Sequence, residues 1–344
     1  MDNKSNLKIN KYKEFWNKTN KVPLIGYSIG SYFISKRFNA VSKFLRENKQ
    51  IYPDMINVLD FKNDYLRMAE EYEKFNRDTL FTGVPFTGLP WMEAILGCEV
   101  SSTNSGFVAH SQNTEINHFD IRKAFNRNWY KKYIEFTVML KEIGKDRFPV
   151  GQPIMRGPTD IVGTILGQEQ LVYNFYDYPE KVIRLMNNSV DIFLDIIKEN
   201  KNKIDSFCGG SSIGFYDLWC PGECIWYQDD LNALLSPEIY EKYIYDIHKR
   251  ICKSYEYSMI HLHPASFYII DYLLKIDELN AIQINKDVGG PSVEEMIPIF
   301  KKVQEKKNLI IWGDFDKNEM DMLTKNLKPE GLYIIIFSEN FKQD

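Results

Sequence analysis

Short apolar segments alternate with long periodic segments along this chain of 344 residues. Eight segments have the length and the bulky apolar residues of buried strands: 22–28, 78–83, 148–154, 204–212, 257–263, 279–287, 308–316 and 331–338. Strands that alternate with helices form parallel sheets, because a parallel connection needs a long crossover. Eight of them predict an α/β fold, a (β/α)8 TIM barrel. A doubly wound sheet has the same alternation, but no Gly-x-Gly-x-x-Gly follows the first strand.

Helix start signals support these boundaries. Ser236 precedes Pro237 at a first helical position, and Pro179 has the same place in another helical segment. Ser292 and Glu295 have the spacing of a capping box. No linker rich in proline, glycine or serine divides the sequence, so residues 1–344 are predicted to form a single barrel domain with an N-terminal helical extension.

The charge and the apolar segments argue against two classes of partner. The formal net charge is −4 and the pI is about 5.9, which gives no basic surface for nucleic acid. No apolar stretch approaches the roughly 18 residues of a membrane span. The first residues contain no apolar core of a secretory signal. We therefore expect a cytoplasmic protein that binds neither nucleic acid nor a membrane.

The five cysteines are irregularly spaced, which does not indicate a disulfide framework and is typical of a reducing compartment. Cys220 and Cys224 are separated by three residues, whereas zinc ribbons usually have two. We expect them to be buried thiols, with a zinc site composed of these cysteines and nearby histidines as the alternative.

Two of the five histidines lie close together in "MIHLHPAS" (259–266). His261 and His263 are separated by one residue at the end of a predicted strand, so their side chains point to the same side. Two such imidazoles can bind one divalent metal ion together with a carboxylate. They also suit general acid–base catalysis at neutral pH. They could equally be hydrogen-bonded polar residues at a strand end, and the spacing leaves all three interpretations open.

The segment "DLWCPGECIWYQDD" (217–230) combines carboxylates with large aromatic residues. We predict that it is a loop after the fourth strand and that it forms one wall of an active site. Asp229 is the predicted catalytic carboxylate in it, and Trp219 and Gln228 are predicted substrate contacts.

Other predicted substrate contacts follow other strands, because active sites of such barrels lie at the C-terminal ends of the strands. These residues are Tyr27, Trp91, Arg156, Asn285 and Asp287. Two of them have an alternative role: Trp91 could pack inside a helix bundle, and Arg156 could pair with Asp160 instead of a substrate carboxylate.

Five segments, in this order, resemble those of the uroporphyrinogen decarboxylase superfamily. That superfamily includes methyltransferases that move methyl groups from corrinoids to thiols such as coenzyme M. The segments are "NKVPLIGYS" (20–28), "RGPTDIVGTILG" (156–167), "DDLNALLSPEIYEKYI" (229–244), "IHLHPAS" (260–266) and "IIWGDFD" (310–316). The resemblance covers nearly the whole chain and implies a (β/α)8 barrel.

The chain departs from true uroporphyrinogen decarboxylases at their functional residues. "GYSIGSYFISKRF" (26–38) has no Arg-x-x-Gly-Arg, and Gly83 or Val84 stands near the place of the catalytic aspartate. Gly163 and Thr164 stand near the place of their tyrosine, and "FSENF" replaces their Gly-His-Gly turn. We therefore do not expect the chain to decarboxylate uroporphyrinogen.

The methyltransferases of the superfamily bind zinc through a His-x-Cys pair and a second cysteine near the eighth strand. The resemblance places His261, His263 and Ser338 at these positions. Two histidines and a carboxylate could still bind zinc, and would form a stronger Lewis acid than a thiolate site. The carboxylates considered are Glu223, Asp287 and Glu339, with Glu223 as the predicted ligand.

The sequence thus predicts a methyltransferase-like enzyme that acts on a small organic substrate around His261 and His263. The resemblance implies zinc as a cofactor, a corrinoid-binding protein as a partner, and a homodimer. One alternative is a metal-free decarboxylase or lyase of a smaller substrate that uses Asp229 and the two histidines. Another is a barrel that binds a small molecule without catalysis, which should have a filled or narrow mouth.

Overall fold

The computed structural model of the chain describes residues 3–74 and 78–339. Its strands, in chain order, are β1 (Leu24–Ile29), β2 (Lys49–Gln50), β3 (Val100–Ser102), β4 (Phe107–Ala109), β5 (Ser211–Ile213), β6 (Leu218–Cys220), β7 (Cys224–Gln228), β8 (Tyr257–Leu262), β9 (Ala281–Asn285), β10 (Asn308–Gly313) and β11 (Leu332–Ser338). Its α-helices are α1 (Asn3–Trp16), α2 (Lys62–Lys74), α3 (Trp91–Ile95), α4 (Ile121–Ala124), α5 (Arg127–Gly144), α6 (Pro158–Leu166), α7 (Gln168–Asp177), α8 (Pro179–Lys201), α9 (Pro237–Ile239), α10 (Tyr245–Cys252), α11 (Ile270–Leu273), α12 (Val293–Gln304) and α13 (Lys317–Asn326).

Six of these strands form one parallel sheet in the order β1-β11-β10-β9-β8-β7. The first and last strands of the chain are neighbours in it, with Leu24 opposite Tyr333. Five of the predicted strands, β1 and β8 to β11, belong to this sheet. The mixed α/β architecture is therefore confirmed. The smaller strands form a three-stranded antiparallel sheet (β2-β3-β4) and a β5–β6 hairpin.

The two faces of the parallel sheet pack in different surroundings, because side chains alternate along each strand. On β8, Ile260 and Leu262 belong to the apolar core that includes the surrounding helices. Met259 belongs to a second core on the opposite face. His261 has the same parity as Met259, so the alternation directs the His261 side chain toward the second face.

Helix α1 packs against one end of that second face. Phe15 and Trp16 share the core with Tyr333, and the Trp16 indole N–H donates to the Trp219 carbonyl at 2.8 Å. The Tyr12 hydroxyl donates to the Asp217 carbonyl at 2.6 Å. These contacts lie away from the other end of the face, where His261 stands near the C-terminal end of β8 and a cavity can form.

Two predicted strands do not join the sheet as regular strands. Segments 78–83 and 148–154 make isolated contacts: Gly83 pairs with Val150, and the Asp78 N–H donates to the Ile25 carbonyl at 3.3 Å. Pro149 and Pro153 have no N–H to donate to a ladder, which explains the irregular pairing. A closed barrel is not found among residues 3–74 and 78–339, where the hydrogen-bonded sheet has six strands.

The fourth predicted strand, at 204–212, is misplaced, and the strand that joins the sheet here is β7, which lies later in the chain. The predicted strand at 204–212 contributes only part of β5, which pairs with β6. The supposed loop 217–230 instead contains β6 and β7, and β7 pairs with β8 in the sheet. The run "CIWYQ" is apolar up to its last residue, which is typical of a buried strand. The preceding Pro-Gly turn marks where this strand can begin.

The helix starts agree with the sequence. The Ser236 hydroxyl accepts a hydrogen bond from the Ile239 N–H at 3.3 Å. Ser292 and Glu295 form the expected capping box at the start of α12. Within residues 3–74 and 78–339, no helix has both the length and the apolar character that crossing a bilayer requires.

We expect Gly151→Ala to lower the free energy of unfolding by about 1–3 kcal/mol, because overpacking strains a close contact. A Cβ atom at Gly151 would lie 2.7 Å from the Gly214 Cα and from the Ser212 carbonyl, both of which are backbone. Urea denaturation would measure the change. Gly106→Ala is the control, since its Cβ would meet only the Ser35 hydroxyl at 3.5 Å. Equal stability of both variants would contradict the close approach.

Candidate functional site

The two histidines lie side by side at the C-terminal end of β8. His261 is buried in the strand, and His263 follows it directly and is half-buried. Their ring centroids are 4.7 Å apart and the rings are perpendicular. The strand alternation predicted this shared side, and the structure brings the two imidazoles together.

Each imidazole uses its Nδ1 atom for a hydrogen bond within the protein. The His261 Nδ1 contacts the Gln283 Oε1 and lies 2.9 Å from the Tyr216 hydroxyl. Gln283 is oriented by its own amide N–H, which donates to the Asn285 Oδ1 at 3.0 Å. The His263 Nδ1 is 2.8 Å from each carboxylate oxygen of Asp287. Acceptors at both Nδ1 atoms place the proton there, which leaves the Nε2 lone pairs available.

A third ligand group lies beside these histidines. Single ligand atoms of Asp230, His261 and His263 all lie within 4.8 Å of one another. The Gln228 amide donates to the Asp230 Oδ2 at 2.9 Å and holds the carboxylate. Two imidazoles and one carboxylate are a donor set that zinc accepts, with a further position left for water or substrate. The Asp287–His263 pair also matches the outer hydrogen bond that metal-bound histidines usually make.

The pKa values of the two histidines shift in opposite directions. Burial lowers the pKa of His261, against the opposing effect of the Asp230 charge. The hydrogen bond that the His263 ring donates to the Asp287 carboxylate raises the pKa of His263. The neutral form is therefore favoured at His261, while His263 holds its proton more readily.

A cavity of about 750 Å³ lies against these histidines. Of the predicted substrate contacts, it is lined by Tyr27, Gln228 and Asn285. Asp287 takes part through its hydrogen bond to His263. A cavity of this size is open enough for a small organic ligand.

Arg37 supplies a positive charge to the same cavity. Its guanidinium donates to the Ser31 carbonyl at 2.7 Å and to the Ser28 hydroxyl at 3.3 Å. Burial lowers the pKa of Arg37 to about 10, and the Asp217 charge opposes this. Both hydrogen-bond acceptors are neutral, so the guanidinium remains suited to an anionic ligand group.

Three predicted substrate contacts lie elsewhere. Trp91 and Trp219 are 1% exposed, and their indole N–H groups donate to the carbonyls of Phe86 and Phe207. Both are core residues, as the packing alternative for Trp91 foresaw. Arg156 forms an ion pair with Glu93 at 3.1 Å, which raises the pKa of Arg156.

Asp229 is placed in a buried network instead of the cavity. Its Oδ1 accepts from the backbone N–H groups of Thr159 and Asp160 at 2.9 and 3.0 Å, at the start of α6. Its Oδ2 is 2.8 Å from the His248 Nε2, and both side chains are fully buried. The predicted catalytic role of Asp229 is thus replaced by a structural one, since no substrate in the cavity can reach it.

Glu223 does not join the histidines. It is exposed, and its carbonyl accepts from the N–H of Tyr257, the first residue of β8. Glu223 therefore lies at the N-terminal edge of the sheet, whereas His261 lies at the C-terminal edge. Asp230, just after β7, occupies the position that the sequence analysis assigned to Glu223.

Sequence reasoning missed four residues of the site. They are Asp230, Gln283, Tyr216 and Arg37. Gln283 could have been found, because it lies two residues before Asn285 on the same strand face. Asp230 is the neighbour of Asp229, which the sequence analysis selected as the catalytic carboxylate. Only the path of the backbone after β7 shows which of the two side chains points toward the histidines. Tyr216 and Arg37 end the short 3-10 helices Gly214–Tyr216 and Ile34–Arg37, which are too short to carry a periodic signal.

Comparison with known proteins shows similarity to solved structures. No family model and no curated protein matches the chain. Among solved structures, a methyltransferase from Methanosarcina mazei superposes with a TM-score of 0.60. The match covers 96% of this chain and 92% of that chain, at 10% sequence identity. At this identity the similarity shows that the two chains share a fold.

We expect Asp229→Asn to lower the free energy of unfolding by about 1–3 kcal/mol, because it leaves buried hydrogen-bond partners of the carboxylate unsatisfied. Urea denaturation would measure it. Asp60→Asn is the matched control, since Asp60 pairs with Lys43 at the surface and such pairs contribute little. A stable Asp229→Asn protein would contradict the structural role.

We expect Asp287→Asn to lower the pKa of His263, because the hydrogen bond to the carboxylate stabilises the protonated ring. An NMR titration of the His263 ring would measure the shift. The exposed Asp314, changed to Asn, serves as the control and should leave the titration unchanged. An unchanged His263 pKa in Asp287→Asn would contradict the pairing.

Proposed function

We propose that this chain is a methyltransferase-like enzyme whose reaction centre is formed by His261, His263 and Asp230 with a bound zinc ion. The observation that carries the proposal is the convergence of these three ligand groups within 4.8 Å beside a cavity. The fold shared with a methyltransferase supports the same reaction class.

The donor chemistry fits zinc. Both Nδ1 atoms have acceptors, so the Nε2 lone pairs face outward as neutral ligands. One carboxylate leaves a bound zinc with more positive charge than thiolates would. When bound, zinc would lower the pKa of an acceptor group such as a thiol and hold it in its nucleophilic form.

The protein's own residues would orient and hold the substrate. Asp287 fixes the ring of His263, and Gln228 holds Asp230. Arg37 would pair with an anionic group of the substrate across the cavity. We infer a small organic acceptor that carries both a nucleophilic and an anionic group.

We further propose that the methyl donor is a corrinoid on a partner protein that docks over the cavity. Tyr32 lines the cavity and is 54% exposed, and its neighbour Phe33 is 49% exposed. Such exposed aromatic residues are typical of protein contacts. In this proposal the six strands and the two extended segments form an incomplete barrel, with the reaction centre at its C-terminal mouth.

A metal-free acid–base enzyme is the second candidate. The opposite pKa shifts of His261 and His263 favour it, because one ring tends to be neutral and the other holds its proton. The burial of Asp229 removes the carboxylate that this alternative relied on. Activity that survives complete metal removal would support this candidate.

The proposal predicts about one zinc ion per purified chain, measured by elemental analysis. The double variant His261→Ala, His263→Ala should lose the metal, and methyl transfer from methylcobalamin to a panel of small thiols should fall by about 100-fold or more. The control is His110→Ala, His118→Ala, which removes two histidines outside the cluster. Metal-free wild-type protein, or a double variant with full activity, would contradict the proposal.

A further inference from the structure

A second cavity, of about 390 Å³, lies at the other end of the sheet from the histidines. It is lined by Cys224, the first residue of β7, and by Glu256, which precedes β8. Glu223 and Glu256 line it and are exposed, so the cavity reaches the surface. The proposed methyl transfer does not use this cavity.

Cys224 has three groups around its sulfur that favour the thiolate. The Cys220 thiol lowers the pKa of Cys224, and so does the Ser211 hydroxyl, which lies 3.0 Å from the sulfur. The positive charge of Lys201 acts in the same direction. Burial and the negative charge of Glu223 oppose ionisation, but the other groups prevail and the pKa of Cys224 is about 7. Burial instead raises the pKa of Cys252 to about 11.

Two polar groups in this cavity have no hydrogen-bond partner among the described residues. They are the Lys201 Nζ and the Ser212 Oγ, both buried atoms. The Ser212 residue is 3% exposed, and the Lys201 ammonium lies 4.2 Å from the ring centre of Tyr255. Unpaired buried polar groups are costly, so this cavity is suited to a small polar molecule beside the Cys224 sulfur.

We propose that Cys224 and Cys220 form a site that reacts with small neutral hydroperoxides, with Cys224 as the attacking thiolate and Cys220 as the resolving thiol. A thiolate next to a second thiol is the arrangement found in oxidant-sensitive cysteines. The carboxylates Asp205, Glu223 and Glu256 line the cavity and disfavour anionic oxidants such as glutathione disulfide.

The reaction balances with the hydroperoxide as the oxidant. The Cys224 thiolate attacks the terminal oxygen, the O–O bond breaks, and the leaving oxygen takes a proton and departs as alcohol or water. Cys224 is then a sulfenic acid. The Cys220 thiol attacks the Cys224 sulfur, the S–S bond forms and the S–O bond breaks. The hydroxide that leaves takes the Cys220 proton, so that one disulfide and one further water result.

The test uses hydrogen peroxide on the full chain carrying Cys208→Ser, which removes a half-exposed thiol. Intact-mass analysis should show the loss of two hydrogens, and peptide mapping should show a Cys220–Cys224 disulfide. Adding Cys220→Ser should stop the reaction at a sulfenic acid, which a dimedone-type reagent traps on Cys224. Adding Cys224→Ser should abolish both products.

Lys201→Met tests the source of the reactivity, because it removes the positive charge near the sulfur. We expect the rate at neutral pH to fall roughly threefold for each unit by which the thiolate pKa rises, because the loss of thiolate is partly offset by its higher nucleophilicity. The matched control is Cys252→Ser, which should leave the rate unchanged. Oxidation of Cys224 no faster than that of Cys98 or Cys252, or no disulfide at excess peroxide, would overturn the proposal.

Discussion

The hydrogen bonds at Nδ1 of His261 and His263 are the interaction on which the candidate site depends. They fix both rings, and a proton on each Nδ1 leaves the Nε2 lone pair of a neutral ring available as a ligand. Gln283 and Asp287 provide them from β9 and the residues just after it, so the site requires β8 and β9 to be neighbours in register. If either acceptor were lost, the ring could rotate or change its tautomer, and the cluster with Asp230 would lose its defined donor atoms.

Two successive carboxylates after β7 have opposite roles. Asp229 turns inward, accepts the N–H groups at the start of α6 and pairs with His248. Asp230 turns toward the histidines. The buried Asp160 lies beside both, and burial together with their charges raises the pKa of Asp160 well above its usual value. The hydrogen bonds of Asp229 to the start of α6 and to His248 anchor the turn that positions Asp230.

The sequence predicted the parallel α/β architecture and the paired histidines because both follow from periodic patterns. Apolar runs mark strands wherever the backbone can form a ladder, and two residues two apart on a strand share a face. The pattern failed at 148–154, where Pro149 and Pro153 remove ladder donors while the apolar run remains. The pattern also could not show that Asp230, and not Glu223, lies beside the histidines. Only the fold shows that Glu223 precedes β7 and that Asp230 follows it. Arg37 reaches the cavity from a four-residue 3-10 helix, which is too short for a sequence pattern to specify.

We propose that His261, His263 and Asp230 bind zinc through two imidazole nitrogens and one carboxylate oxygen. X-ray absorption spectroscopy of the zinc-loaded protein tests this directly. We expect nitrogen and oxygen scatterers at about 2.0–2.2 Å and an imidazole signature that disappears in the His261→Ala, His263→Ala protein. Sulfur scatterers at about 2.3 Å, or a first shell unchanged by the double substitution, would contradict the claim.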